Sequence, residues 1–408
     1  MRVYLIILII FLSILCILFP SVSYAKTISI VLPDSTNGYQ PIGIIKKMNS
    51  FILAGNIKNL NGNWDISVMF LDRDYSSGKN LTLSGNRTDL VFKIIDFSRF
   101  FLLLISTSSK FGSLKKEKGL LDIGIVKLTS EGNIMWIKNL GGKGINYAKD
   151  IALCENGNKL AVLGRFDTEG EDINEYYGGW DIIAALYSTE GELIWSRTLG
   201  SKEDDLPGSI TCNNERVYIV YSTWVKERKW DIRFVTLNKN GDILHDKTFG
   251  SNGSEIVKKI IKTNDGNFII LGSVDTDNPI MGDPRGKTDV FLIKIDNNGD
   301  IIWQKRFGGE GNDFGQDVVI DKNGFYWILG LTESYNGDIT EHIGGWDLLV
   351  FKIDRGGQLI SSKTYGTYND ENPIQILLLD NDILFLGCTR KSEILFEPFL
   401  IKCGLNDF

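Results

Sequence analysis

Residues 286–307 read Gly286-Lys287-Thr288-Asp289-Val290-Phe291-Leu292-Ile293-Lys294-Ile295-Asp296-Asn297-Asn298-Gly299-Asp300-Ile301-Ile302-Trp303-Gln304-Lys305-Arg306-Phe307. Two apolar, strand-like runs, Asp289 to Ile295 and Ile301 to Phe307, are joined by Asp296-Asn297-Asn298-Gly299, and a short Asn-Gly connection between such runs is the strongest local signal of a β-hairpin. Upstream, the loop Gly250-Ser251-Asn252-Gly253 leads into an apolar strand over Ile256 to Ile261, the turn Asn264-Asp265-Gly266-Asn267, a second strand over Phe268 to Gly272 and a long polar loop from Ser273 to Lys287. The unit is therefore a four-stranded antiparallel meander.

The same order recurs along the chain. Trp64-Asp65, Trp180-Asp181, Trp230-Asp231 and Trp346-Asp347 each open an alternating strand, and Leu121-Asp122 and Thr288-Asp289 hold the same place without the Trp. These Asp residues are 50 to 59 positions apart, and Pro398 to Lys402 matches the phase of a seventh unit without its Asp. All-strand units repeated about seven times with no crossover helix predict a β-propeller, whose radial stacking buries both faces of each small sheet. A linear solenoid is the competing arrangement. The chain ends decide between them: Thr27 to Leu32 followed by Asp34 to Gly38 has the form of a fourth strand and exit loop, while Ile374 to Cys403 supplies only three strands. Joined, they complete one blade and close a ring, whereas a solenoid would leave both as exposed edges. The expected fold is all-β, a seven-bladed propeller spanning 26–408, with the N-terminal strand completing the last blade.

Gly344-Gly345-Trp346-Asp347-Leu348-Leu349-Val350-Phe351-Lys352-Ile353-Asp354 and Gly286 to Asp296 resemble the bacterial seven-bladed propeller repeats called SBBP repeats. The resemblance covers nearly all of 26–408, implies an exported propeller, and implies no particular activity. The first and last units depart from the pattern.

Composition narrows the function. With 43% apolar and 23% charged residues and 43 Gly against 8 Pro, the chain is that of a folded, turn-rich protein. A formal net charge of −7 argues against a nucleic-acid partner, and the presence of only His245 and His342 against histidine-rich metal sites. Met1-Arg2, the apolar run Val3 to Phe19 and the ending Ser23-Tyr24-Ala25 have the form of a secretory signal over 1–25, with an uncleaved anchor as the alternative. Ile14 and Leu15 before Cys16 do not suit a lipidation site. Beyond Lys26 no stretch is long and apolar enough to span a membrane again. For Cys154, Cys212, Cys388 and Cys403 the expectation is buried free thiols, although an exported chain could pair them.

Several motifs read as structure. Asp65, Asp122, Asp181, Asp231, Asp289 and Asp347 recur once per unit at a loop-to-strand junction, where a carboxylate fixes a turn by accepting backbone N–H bonds. The Trp beside them is expected to pack between blades, as are Trp136, Trp195 and Trp303 in the fourth strands, whose place His245 takes in its own unit. Asp296 to Trp303 looks like the tryptophan-docking repeat of pyrroloquinoline-quinone propellers, but no adjacent Cys pair accompanies it. Gly and Trp are four residues apart rather than the three of a sialidase Asp box, and Asp296 to Asp300 lacks the spacing and Glu of a calcium loop.

The informative region is then one face of the ring, formed by the long loops after second and fourth strands. It is acidic with interleaved aromatics, and its candidate ligand-binding residues are Glu171, Asp172, Tyr176, Asp204, Asp205, Asp313, Asp370 and Glu371. The functional expectation is an exported, non-catalytic binding or scaffolding propeller that engages an extracellular protein or polysaccharide through this face. No cofactor is predicted, with calcium left open as a ligand of the acidic loops. The alternative is a propeller glycosidase or polysaccharide lyase working through loop carboxylates; a structural part of a surface layer is a third reading.

Overall fold

The computed structural model describes residues 26–29, 38–109, 119–154, 157–170, 172–173, 175–250, 252–275, 284–391 and 396–408. The expected signal over 1–25 and the candidate residue Glu171 lie outside the described residues. Within them every regular element is a strand, and the strands form seven four-stranded antiparallel sheets.

The unit that contains 286–307 shows how local sequence sets the pairing. Its strands β18 (Glu255–Lys262), β19 (Phe268–Asp275), β20 (Thr288–Ile295) and β21 (Ile301–Phe307) pair in chain order. Between β20 and β21, Asp296 Oδ1 accepts the N–H of Asn298 and of Asp300, both at 2.8 Å, and Gly299 takes φ +82°. The Asp holds the turn from one side and the glycine supplies the positive φ from the other. Asp354 repeats the arrangement with the N–H groups of Gly356 and Gln358.

Each sheet is buried on both faces. In β7 (Phe100–Thr107), Phe101, Leu103 and Ile105 join the apolar core shared with the first blade, whereas Leu102 and Leu104 join the core shared with the third. Strand residues alternate between faces, so a near-continuous apolar run is what a doubly covered sheet requires. Seven such cores lie between successive blades. One of them joins Leu384, Leu386 and Leu400 of the last blade to Ile44, Leu53 and Met69 of the first. Strand β1 (Lys26–Ser29) pairs antiparallel with β28 (Phe396–Gly404), Thr27 opposite Ile401, and makes the fourth strand of the last sheet. The chain is a seven-bladed β-propeller.

Two packing expectations are corrected. Three of the tryptophans that precede the repeated Asp stack within their own blades: Trp180 lies beside Tyr147 and beneath the Arg165 guanidinium, Trp230 meets Trp224, and Trp346 meets Phe314. Each sits where its loop enters the third strand, so it covers the rim of its own sheet. The fourth-strand tryptophans do cross to the next blade. Trp195 donates its Nε1–H to Lys239 O (3.1 Å), and its ring lies under Gly241; Trp303 lies under Gly357 in the same way.

The second correction concerns sulfur. Cys154 and Cys212 form a disulfide between the third and fourth blades, while Cys388 and Cys403 are free and buried. Equivalent positions of adjacent blades lie side by side, which brings two cysteines 58 residues apart within bonding distance.

Candidate functional site: the central channel

The first strand of each blade, β2 (Tyr39–Lys46), β6 (Asp89–Phe97), β10 (Asn146–Leu153), β14 (Asp205–Cys212), β18, β22 (Asp313–Ile320) and β26 (Glu371–Leu378), lines a central channel of about 400 Å³. All seven carry a register shift at the same place. Such a bulge leaves one residue per strand without a ladder partner and re-aims its side chain. The bulged residues are Ile42, Phe92, Lys149, Gly208, Lys258, Gln316 and Ile374, and all of them line the channel. The ring they make is two-sided. Blades seven, one and two contribute Ile374, Ile42 and Phe92; blades three to six contribute Lys149, Gly208, Lys258 and Gln316.

At six of the seven bulges the residue that follows belongs to a belt that ties blades together, and in the first blade Ile44 joins it through its N–H. Lys93 bonds Asp150 of the next blade, and Asp150 Oδ2 also accepts Ser209 Oγ (2.6 Å) and Ile210 N–H (3.0 Å) from the blade after that. Lys259 bonds Asp317, Asp317 Oδ2 accepts Ile376 N–H (2.9 Å), and Gln375 Oε1 accepts Ile44 N–H (2.7 Å). Burial works against ionisation of Asp150, but the Lys93 ammonium, the Ser209 hydroxyl and the Ile210 N–H together hold its carboxyl below the usual range. Both channel carboxylates are thus occupied by the frame itself.

Lys149 and Lys258 stand apart from this belt. Among the described residues neither ammonium has a hydrogen bond or ion-pair partner. Burial pushes both below the ordinary lysine range, Lys258 to about 8, with the nearby charge of Lys149 adding to the effect on Lys258. These residues were not among the sequence candidates. The available signal was the pair of adjacent polar residues inside an otherwise apolar first strand, Lys149-Asp150, Lys258-Lys259 and Gln316-Asp317, at one place in three units.

The loop-face candidates separate into two groups. Asp205 and Asp313 are 0% exposed and Glu371 is 3% exposed, below the face rather than on it. The N–H four residues earlier donates to each: Ser201 to Asp205 (2.8 Å), Gly309 to Asp313 (2.8 Å) and Thr367 to Glu371 (3.0 Å). The expectation of an open position fails because these residues begin the innermost strands. Asp204, Asp370 and Asp172 lie nearer solvent, and each accepts a backbone N–H from a neighbouring loop, of Trp180 (3.0 Å), Trp346 (3.3 Å) and Gly141 (3.1 Å). Tyr176 is 39% exposed and donates to Gly179 O.

The repeated Asp residues sit across the blade seams from the buried acids. Asp181 Oδ2 accepts Tyr177 N–H (2.6 Å), and Asp347 Oδ2 accepts Ile343 N–H (2.7 Å). A side-chain carbon on Gly200 would lie 2.2 Å from Asp181 Oδ1 and 2.9 Å from Asp205 Oδ2, so the two oxygens are no more than about 5 Å apart. Gly308 separates Asp289 from Asp313, and Gly366 separates Asp347 from Glu371, in the same way. Burial raises Asp181, Asp205 and Asp313, with Asp205 pushed up to about 6. In one seam Asn146 replaces the second acid and faces Asp122 Oδ1 at 3.4 Å. Among the described residues no group of three or more His, Cys, Asp and Glu is placed to hold a metal ion.

With this geometry in view, three solved structures are informative for comparison. The polysaccharide lyase Uly1 superposes with a TM-score of 0.53 at 9% identity, covering 90% of each chain. The propeller domain of the Trilobed protease from Pyrococcus furiosus gives 0.51 at 9% identity, covering 90% of this chain and 98% of that one. Puromycin hydrolase gives 0.53 at 11%, covering 91% of this chain and 52% of that one. The likeness is one of fold. No family model matches the sequence. A 234-residue stretch, 51% of this chain, is 24% identical to the regulatory protein FlaEY of Caulobacter vibrioides and spans 24% of that protein.

Proposed function

We propose that the protein is an exported, non-catalytic binding propeller of the SBBP-repeat kind, and that its ligand enters the central channel. The observation that carries this reading is the two-sided ring of bulged residues. An apolar arc (Ile374, Ile42, Phe92) faces a polar arc (Lys149, Gly208, Lys258, Gln316) in a space of about 400 Å³, within the range of small-molecule sites. A pocket with an apolar wall and a few polar groups fixes a ligand's orientation as well as its affinity.

Two features favour binding over turnover. A glycosidase needs a pair of carboxylates free to exchange protons with substrate, whereas Asp150 and Asp317 are held by lysines and backbone N–H groups. The loop acids Asp204, Asp370 and Asp172 are likewise engaged in holding neighbouring loops. The Cys154–Cys212 disulfide supports export, because such bonds persist in oxidising compartments. The test is retention of acidic and neutral glycans on immobilised protein, with mass analysis of each glycan after long incubation. Retention with unchanged mass supports a binding role. A new reducing end or an unsaturated sugar would establish the glycosidase or lyase alternative.

A further inference from the structure

We infer that the channel holds an oxyanion, the carboxylate or phosphate group of its ligand, between Lys149 and Lys258 over the bare backbone of Gly208. The inference rests on the channel being the ligand site and names the chemistry of what binds there.

The first argument is positional. Lys149, Gly208 and Lys258 occupy the bulge positions of three consecutive blades, the third, fourth and fifth. The middle position carries no side chain. Between the two lysine positions the lining is therefore backbone alone. Gly208 is also confined by packing, since a side-chain carbon there would lie 2.6 Å from Val257 Cγ2 and 2.7 Å from Val220 O. Packing against the next blade thus keeps this position glycine.

The second argument is charge. Among the described residues the channel lining carries four lysines and two aspartates, and each aspartate is taken by one lysine, Asp150 by Lys93 and Asp317 by Lys259. Lys149 and Lys258 are then two cations in excess of the carboxylates, and Asp150 and Asp317, already bonded to other lysines, offset them only in part. Unpaired ammonium groups withdrawn from water are costly, and two that share a small space repel each other as well. An oxyanion between them offsets both penalties through charge-assisted hydrogen bonds. Lysines suit carboxylate and phosphate alike, because an ammonium is a point charge without the planar fork of arginine.

The test follows the lysine ammonium resonances of the full folded chain by NMR while inorganic phosphate, glucuronate or glucose is added. Phosphate and glucuronate should each move Lys149 and Lys258 and raise the titration midpoint of Lys258 by about one unit, leaving Lys93 and Lys259 in place. The arm that responds at lower concentration distinguishes phosphate from carboxylate. In the same titrations the backbone amide resonances of Gly208 and Ser209 should shift in the parent and stay in place in Lys149→Gln with Lys258→Gln, a variant that should unfold at a temperature no lower than the parent's. Glucose shifting channel residues while neither oxyanion moves the two lysines would overturn the oxyanion and leave the channel standing as the ligand site. No response to any probe up to about a hundred millimolar, where even millimolar affinity saturates, would overturn the oxyanion inference. A response that survives the double substitution would place the anion elsewhere.

Discussion

Asp181 and Asp205 face each other across Gly200 from adjacent blades, both fully buried and with their near oxygens no more than about 5 Å apart. Two carboxylates so placed are most stable when a proton remains with one of them. Burial pushes Asp205 up to about 6 from 3.8, against hydrogen bonds from Thr223 and Ser201 that favour the anion, and the charge of Asp181 pushes it further the same way. Because the folded value is the higher one, the stabilisation is full below 3.8 and is lost as pH rises through about 6. Denaturant unfolding should therefore show a fall in stability that is centred between 3.8 and about 6 and is complete by about pH 7, and that Asp205→Asn reduces. Asn146 already fills the equivalent place in another seam, so the substitution suits the frame. An unchanged fall in the variant would remove Asp205 as its source.

The seam glycines leave no room for a side chain. Gly308→Ala would put a carbon 2.1 Å from Asp289 Oδ1 and 2.8 Å from Asp313 Oδ2. Forcing atoms into a packed interior costs about 1–3 kcal/mol, and the seam should lose at least that in equilibrium unfolding. Gly266→Ala meets no atom within 4 Å, although its φ of +83° strains any side chain. It should cost about 1 kcal/mol, the ordinary penalty of a non-glycine residue at such a backbone angle.

The disulfide closes a loop of 58 residues between the third and fourth blades. A cross-link of that span stabilises by about 4 kcal/mol in the chain-entropy account and by less where the unfolded chain keeps structure. Replacing both Cys154 and Cys212 by Ala should lower stability by about 2–4 kcal/mol. Reductant should lower the parent's midpoint by a similar margin and leave the variant's unchanged.

Lysines of the channel should divide by partner. Lys93→Gln removes the cation from Asp150, and Lys259→Gln removes it from Asp317, carboxylates whose side chains are only 9% and 7% exposed. Each should cost about 1–3 kcal/mol, at the lower end of buried-pair values because the lysines are partly solvated. Lys149→Gln and Lys258→Gln break no ion pair and should be neutral or stabilising in the absence of ligand. Equal losses at all four positions would show that the unpaired lysines support the frame.

Much of this fold is written locally. Asp-x-x-Gly turns and alternating strands specify a blade from about 55 residues of sequence, and the partial units at the two ends specify the ring. What joins one blade to the next is harder to read. Asp204 and Asp205 are adjacent acids at a loop end, yet strand geometry sends one toward solvent and seals the other in a seam. The channel was hidden for a related reason. A bulge shifts the alternation by one residue, so Lys149 reads as an ordinary strand position until the partner strand shows which residue is skipped. The Cys154–Cys212 bond depends on lateral adjacency between equivalent positions, which the repeat alignment contains but periodicity within one unit does not.

The most direct measurement is crystallographic: soak the protein in selenate, an oxyanion with an anomalous signal, and locate the selenium. An anomalous peak within hydrogen-bond reach of both Lys149 and Lys258, and absent from Lys149→Gln with Lys258→Gln, is the predicted result. Selenate bound only at the loop face, with the channel free of signal at saturating concentration, would contradict the assignment of the channel as the site.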